Sequence, residues 1–96
     1  LLPQSLKVLD DVVDILKDNP ELSLSIEGHT SGDGIFEANM KLSDERAKNV
    51  KGYLISKGID AARLTAKGFG PTQPINKGKT IAEKAQNRRV ELKLSN

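Results

Sequence analysis

No cysteine occurs among the 96 residues. That excludes a disulfide framework, a thiol nucleophile, a CxxC redox pair and thiolate-held zinc, and it leaves cytosol and periplasm equally open as compartments. Aromatic residues are scarce, only Phe36, Tyr53 and Phe69. They are too few for a base-stacking platform or for the aromatic girdles of a membrane barrel. No apolar run is long enough to cross a bilayer and no signal peptide is recognisable, so the chain as given is expected to be soluble, with any export signal or anchor lying outside it. Neither charge sign dominates: 15 Lys+Arg stand against 13 Asp+Glu, a net charge of +2, with the two signs interleaved. Nucleic-acid binding is not expected from such a balance. His29 is the sole histidine and has no companions at metal-ligand spacing, while Gly32-Asp33-Gly34 come without a Walker lysine or a dinucleotide fingerprint. Neither a metal nor a cofactor is therefore expected.

What is present suits one small domain covering residues 1–96, with 36% apolar residues. A chain of this length buries about 60–65% of its unfolded surface, so every apolar stripe is needed for the core. Leu6, Leu9, Val13 and Leu16 are spaced for one helix face, starting near Pro3 to Ser5 and stopped by Asn19-Pro20. From Leu22 to Glu27 the period changes to two, which predicts a strand with Leu22, Leu24 and Ile26 on its buried face. Residues 28–34 read as a glycine-rich turn. Ala47, Val50 and Leu54 then mark a second helix, with Ser43 as its N-cap, Gly58 at its C-terminal end and an extra turn over 37–41 before it. Ile59 to Phe69 reads as an entry turn and a strand carrying Leu64 and Ala66 inward, followed by a loop over 68–80. Thr80 and Glu83 form a capping box for a short helix, and Val90, Leu92 and Leu94 alternate with charged residues in a final strand.

The order helix, strand, helix, strand, short helix, strand, with one polar face per strand, predicts a two-layer α/β (α+β) fold with a mixed sheet and helices on one side. The first two strands, joined through a helix, should run parallel with a right-handed crossover. A leading helix in such a pattern normally follows a strand, and here that strand is missing from the chain.

In such a sheet, ligands bind beyond the carboxyl ends of the parallel strands, here residues 30–34. Arg46, three residues past the predicted cap, would oppose the helix macrodipole unless Asp44 and Glu45 pair with it, or unless it holds a carboxylate or phosphate. Arg88 falls on the apolar side of the last strand when counted back from Leu94 by twos. It needs either an acid such as Glu83 or a shared ligand with Arg46. His29 and Asp33 are the one conceivable acid/base pair, but no nucleophile with an activating partner accompanies them, so an enzyme is not expected.

Four ordered stretches carry a family resemblance: Ile26-Glu27-Gly28-His29-Thr30; Asn39 through Leu42-Ser43-Asp44-Glu45-Arg46-Ala47 to Val50; Gly68-Phe69-Gly70 with Pro74; and Asn87-Arg88-Arg89-Val90-Glu91. Together they resemble the OmpA-like peptidoglycan-binding domain of outer-membrane porins, the Pal lipoprotein and the stator protein MotB. The resemblance covers nearly the whole chain. It implies non-catalytic binding of peptidoglycan through the meso-diaminopimelate of its stem peptide, anchoring a larger protein on the periplasmic side of the bacterial cell envelope. By the same resemblance, Arg46 clamps the diaminopimelate carboxylate, Arg88 supports the site from the last strand, and Thr30 and Asn39 form its polar wall.

Two departures matter. The family has Asp directly after Gly-His-Thr, where this chain has Ser31. A hydroxyl cannot balance an ammonium, so the expectation passes to Asp33, two residues on. Without Asp33 in the pocket, the domain binds another anionic ligand, binds peptidoglycan feebly or has lost the activity. The second departure is the absent leading strand, which in the family lies beside the last one. Its absence would leave the edge over residues 89–94 open to a homodimer or strand exchange. The rival expectations are a degenerate interaction module that uses this edge against a protein partner, and a hydrolase built on His29 and Asp33.

Overall fold

In the computed structural model of the chain, residues 3–30, 34–72 and 89–96 are described. The elements are α1 (Pro3–Asp18), β1 (Ser23–His29), α2 (Phe36–Ser56), a 3-10 turn (Ala61–Arg63), β2 (Leu64–Gly70) and β3 (Arg89–Ser95). The expected short helix after Thr80 lies outside the described residues.

Helix α1 forms as its spacing requires: Leu9, Val13 and Leu16 are buried, with Val12 packed beside them. It ends before Asn19-Pro20, and its last carbonyls are taken up from outside the helix. Arg63 donates through Nη2 to the carbonyls of Leu16 (2.8 Å) and Asn19 (2.9 Å), and through Nε to Leu22 (3.0 Å). One guanidinium thus joins the end of α1 to the approaches of both β1 and β2.

The sheet order is β2-β1-β3. Strands β1 and β2 pair in parallel, Leu24 opposite Leu64 and Gly28 opposite Gly68, as expected for two strands joined through α2. Strand β3 pairs antiparallel with β1, so that Arg89 lies opposite His29 and Leu94 opposite Leu24. Leu24, Ile26 and Leu64 meet Leu9, Val13, Leu16, Val50, Leu54 and Ile59 in the single core between sheet and helices. Burying each such side chain contributes about 1.5–3 kcal/mol, which makes this layer the main source of stability. Val90 and Leu92 extend it, whereas Leu94, also expected inside, is 45% exposed.

Three expectations about the site end are corrected. The turn expected from Gly28 begins only at Thr30, since β1 runs on through His29. The loop expected from Gly68 starts after Gly70, the last residue of β2. Ser43 is no cap: α2 is continuous from Phe36, with Ile35 at its N-cap position and no side-chain cap. The stretch Phe36-Glu37-Ala38-Asn39-Met40-Lys41-Leu42 contains no helix breaker, so the helix passes straight through the cap-like Ser-Asp-Glu sequence. At its other end α2 stops as expected, with Gly58 at φ +97°, a conformation that costs glycine little.

Candidate functional site

The end of the sheet where β1 and β2 finish is held against α2 by small residues. A Cβ on Gly28 would overlap the Ser43 carbonyl, and one on Gly68 would overlap the Asp44 amide nitrogen and lie 2.5 Å from Ser43 Oγ. A Cβ on Gly70, whose φ is +54°, would lie 2.6 Å from Met40 Sδ. The glycines of Gly28 and of Gly68-Phe69-Gly70 therefore let helix backbone lie directly on strand backbone. Ser43, fully buried, closes this contact: its Oγ donates to the Met40 carbonyl (2.8 Å) and accepts from the Gly70 amide (2.9 Å). The Gly70 carbonyl in turn accepts from the Thr30 amide at 3.0 Å. Thr30, just past β1, is thereby fixed two hydrogen bonds away from the middle of α2.

Along α2 the buried stripe is Ser43, Ala47, Val50 and Leu54. Asn39, Arg46 and Tyr53 are each seven residues apart, so they fall on one line beside that stripe. Tyr53 is taken by α1: its hydroxyl donates to Asp10 Oδ1 at 2.6 Å, which holds the phenol above its usual titration range. Arg46 sits about 10 Å nearer the helix start than Tyr53, toward the strand ends. It is exposed. Because α2 begins at Phe36, Arg46 is ten residues into the helix, and the expected conflict with the N-terminal dipole does not arise. The acid expected to neutralise it is engaged elsewhere, since Asp44 pairs with Lys48 at 2.8 Å. That contact keeps the Asp44 carboxyl below its usual range. No acid among the described residues pairs with Arg46.

Thr30 is 4% exposed, and among the described residues its Oγ1 has no hydrogen-bond partner, an uncommon state for a buried hydroxyl. Thr30 thus follows the end of β1 and Asn39 lies in the first turn of α2, whereas Arg46 stands at the middle of that helix. Ser31, Asp33 and Arg88 lie outside the described residues, and so does the Glu83 alternative for Arg88.

His29 is 1% exposed and belongs to the opposite sheet face, stacked on Phe69 with ring centroids 5.5 Å apart. Its Nε2 is 3.4 Å from Glu91 Oε2 and 3.9 Å from Glu27 Oε1, and neither ring nitrogen makes a hydrogen bond among the described residues. Burial, and then the neighbouring Arg89, lower its pKa, so the ring is neutral near pH 7. Arg89 Nε donates to Glu91 Oε2 at 2.8 Å and holds that carboxyl below its usual range. Lys93 meets Glu27 at 3.1 Å, so the directly opposed Glu27 and Glu91 are each neutralised from β3. The periodicity of the strands foretold a polar face but not this network, which depends on strand register. The seating of α2 by Ser43 and three glycines also went unforeseen. Its signal was small residues recurring at the ends of both parallel strands.

The described residues form a two-layer α+β domain, two helices and a mixed three-stranded sheet. The OmpA family model matches residues 1–88, and the chain belongs to that family. It is 41% identical over 95 residues to the probable lipoprotein YiaD of Escherichia coli K12, covering 99% of this chain and 43% of that protein. To the peptidoglycan-associated lipoprotein of Pseudomonas aeruginosa PAO1 it is 39% identical over 93 residues, covering 97% of this chain and 55% of that one. Among solved structures it is similar to the peptidoglycan-associated lipoprotein from Burkholderia pseudomallei, with a TM-score of 0.94 and 30% identity. That likeness covers 99% of this chain and 80% of the other. The chain therefore spans about half the length of these curated relatives. Among the described residues, no helix is long and apolar enough to cross a membrane, and no cluster of His, Asp or Glu is suited to a metal.

Proposed function

We propose that this chain is a non-catalytic peptidoglycan-binding domain that anchors a larger envelope protein, on the periplasmic side, to the diaminopimelate of the wall's stem peptide. The observation that carries the proposal is Arg46: exposed, without an acid partner among the described residues, and on the same flank of α2 as Asn39. Beside the strand ends, the buried and unpartnered Thr30 hydroxyl offers a further polar contact. A guanidinium with no protein carboxylate of its own is suited to a ligand carboxylate, and charge-assisted contacts of this kind contribute about 1.5–3 kcal/mol each. In this proposal Asp33 faces the ligand ammonium in place of the family acid at Ser31, and Arg88 supports the carboxylate from the chain leading into β3. Single-site affinity is weak and gains strength when many copies face a polymeric wall.

Calorimetric titration with meso-diaminopimelate tests this. Arg46→Ala weakens binding by roughly ten- to a hundredfold, and Asp33→Asn weakens it about tenfold, or 1.4 kcal/mol, with the fold intact. Equal affinity in Asp33→Asn removes that residue from the site, and no heat with the unaltered chain removes the ligand. The absence of heat would favour a second reading, an interaction module or homodimer using β3, which is an edge strand among the described residues.

A further inference from the structure

Asn39 and Arg46 are delivered by α2, while Thr30 is delivered by β1, so the shape of the site depends on how far the helix slides along the strand ends. Farther along the helix Ala47, Val50 and Leu54 pack in the core, while at the strand ends the contact consists of backbone against glycines. A hydrogen bond is directional and admits a narrower range of positions. The fully buried side-chain hydrogen bond joining α2 to the end of β2 is Gly70 N–H to Ser43 Oγ, beside which the Gly68 backbone joins Lys48 in lowering the pKa of the Asp44 carboxyl. The same Gly70 holds the Thr30 amide through its carbonyl. Ser43 lies four residues after Asn39 and three before Arg46, at the midpoint of the segment that carries both.

We infer that Ser43 is a positioning residue for the ligand site: its hydroxyl sets the axial position of α2 on β2, and through it the placement of Arg46 and Asn39 against Thr30. The inference rests on the binding role proposed above. Ser43→Ala leaves the Gly70 amide buried without its acceptor and removes the stop that locates the helix. Lys48, two residues beyond Arg46 and engaged with Asp44, gives a control on the exposed face of the same helix.

The test combines amide chemical shifts with a double-mutant cycle. In Ser43→Ala the amide signals of Thr30, Asn39 and Arg46 move together with that of Gly70, whereas Lys48→Ala perturbs only its own neighbourhood. Changes confined to Gly70 and Ser43 overturn the inference whether or not any ligand binds. With meso-diaminopimelate, Ser43→Ala weakens binding about tenfold, and Arg46→Ala costs clearly less in the Ser43→Ala background than in the unaltered chain, because the two act on one contact. Independent, additive losses assign Ser43 to folding alone and refute the inference. A lack of binding by the unaltered chain, with the shifts moving as stated, refutes the ligand and leaves the positioning role standing. Should Ser43→Ala not fold, Ser43→Cys is read in the same way: its larger sulfur displaces α2 from Gly70, so the same amides shift, and their failure to shift overturns the inference.

Discussion

Removing the Arg63 guanidinium should be the most damaging change at a surface-accessible side chain in this domain. Its three hydrogen bonds reach Leu16 at the end of α1, where helix carbonyls have no internal partners, the Asn19 carbonyl, which also accepts from the Leu22 amide, and Leu22 at the entry to β1. Hydrogen bonds from a charged donor contribute about 1.5–3 kcal/mol each when fully buried. Arg63 is only half-buried and water can reach the vacated carbonyls, so about 1 kcal/mol per bond is the appropriate scale, or about 3 kcal/mol in all. Arg63→Met keeps most of the aliphatic stem and isolates the polar loss. For a domain of this size 1 kcal/mol corresponds to about 4–8 °C, so the melting temperature falls by roughly 12–24 °C. Arg63→Lys, with a single nitrogen that cannot span all three carbonyls, recovers less than half of that loss. The measurement is thermal unfolding followed by circular dichroism, with urea titration as a check. A melting temperature for Arg63→Met within about 2 °C of the unaltered chain would refute the reasoning, because that is the range of ordinary surface substitutions.

The glycine seating gives a second prediction. Gly68→Ala sets a methyl against the Asp44 amide and Ser43 Oγ, costing on the order of 2–3 kcal/mol in urea unfolding, while Gly52→Ala, with open space around it in mid-helix, stabilises by about 0.5–1 kcal/mol. A third concerns pH. The folded-state pKa of His29 is lowered, so between the unfolded value of 6.5 and that lower value the unfolded chain binds more protons, and stability falls as pH falls. Urea midpoints should be flat above about pH 7.5 and decline from about pH 6.5 downward, with the decline absent in His29→Gln. An unchanged slope in that variant would place the titration elsewhere. Glu91, held low by Arg89, acts in a separate window: its contribution is present above 4.5 and is lost as pH falls through its folded value. A fourth is modest: Tyr53→Phe, which removes the exposed bond to Asp10, leaves the urea midpoint within the range of ordinary surface substitutions in the same unfolding assay.

Periodicity alone located α1, the inner faces of β1 and β2 and the alternation of β3, because each of these segments has one wet and one dry side. It misjudged the start of α2. Ser43-Asp44-Glu45 has the composition of a helix start, and only the tertiary contact to Gly70 shows why a serine stands there. The same error lent Arg46 a dipole conflict that it does not have. His29 was visible as the only histidine, yet its burial against Phe69, Glu91 and Arg89 depends on three strands brought into register, which local pattern does not encode. Leu94 was assigned inward by alternation and is largely exposed, because burial along an edge strand depends on how far the helices above it reach.

The two halves of the domain are held by different forces. The half toward the strand starts is fastened by leucine, isoleucine and valine, whereas the half toward the strand ends rests on a few polar links and bare backbone contact. Subglobal opening should accordingly begin at the strand ends, with amide protons at Gly70 and Thr30 exchanging before those of Leu24 and Leu54. A wall fragment bridging the two elements would slow that exchange without touching the hydrocarbon layer, making occupancy readable as a local gain in protection.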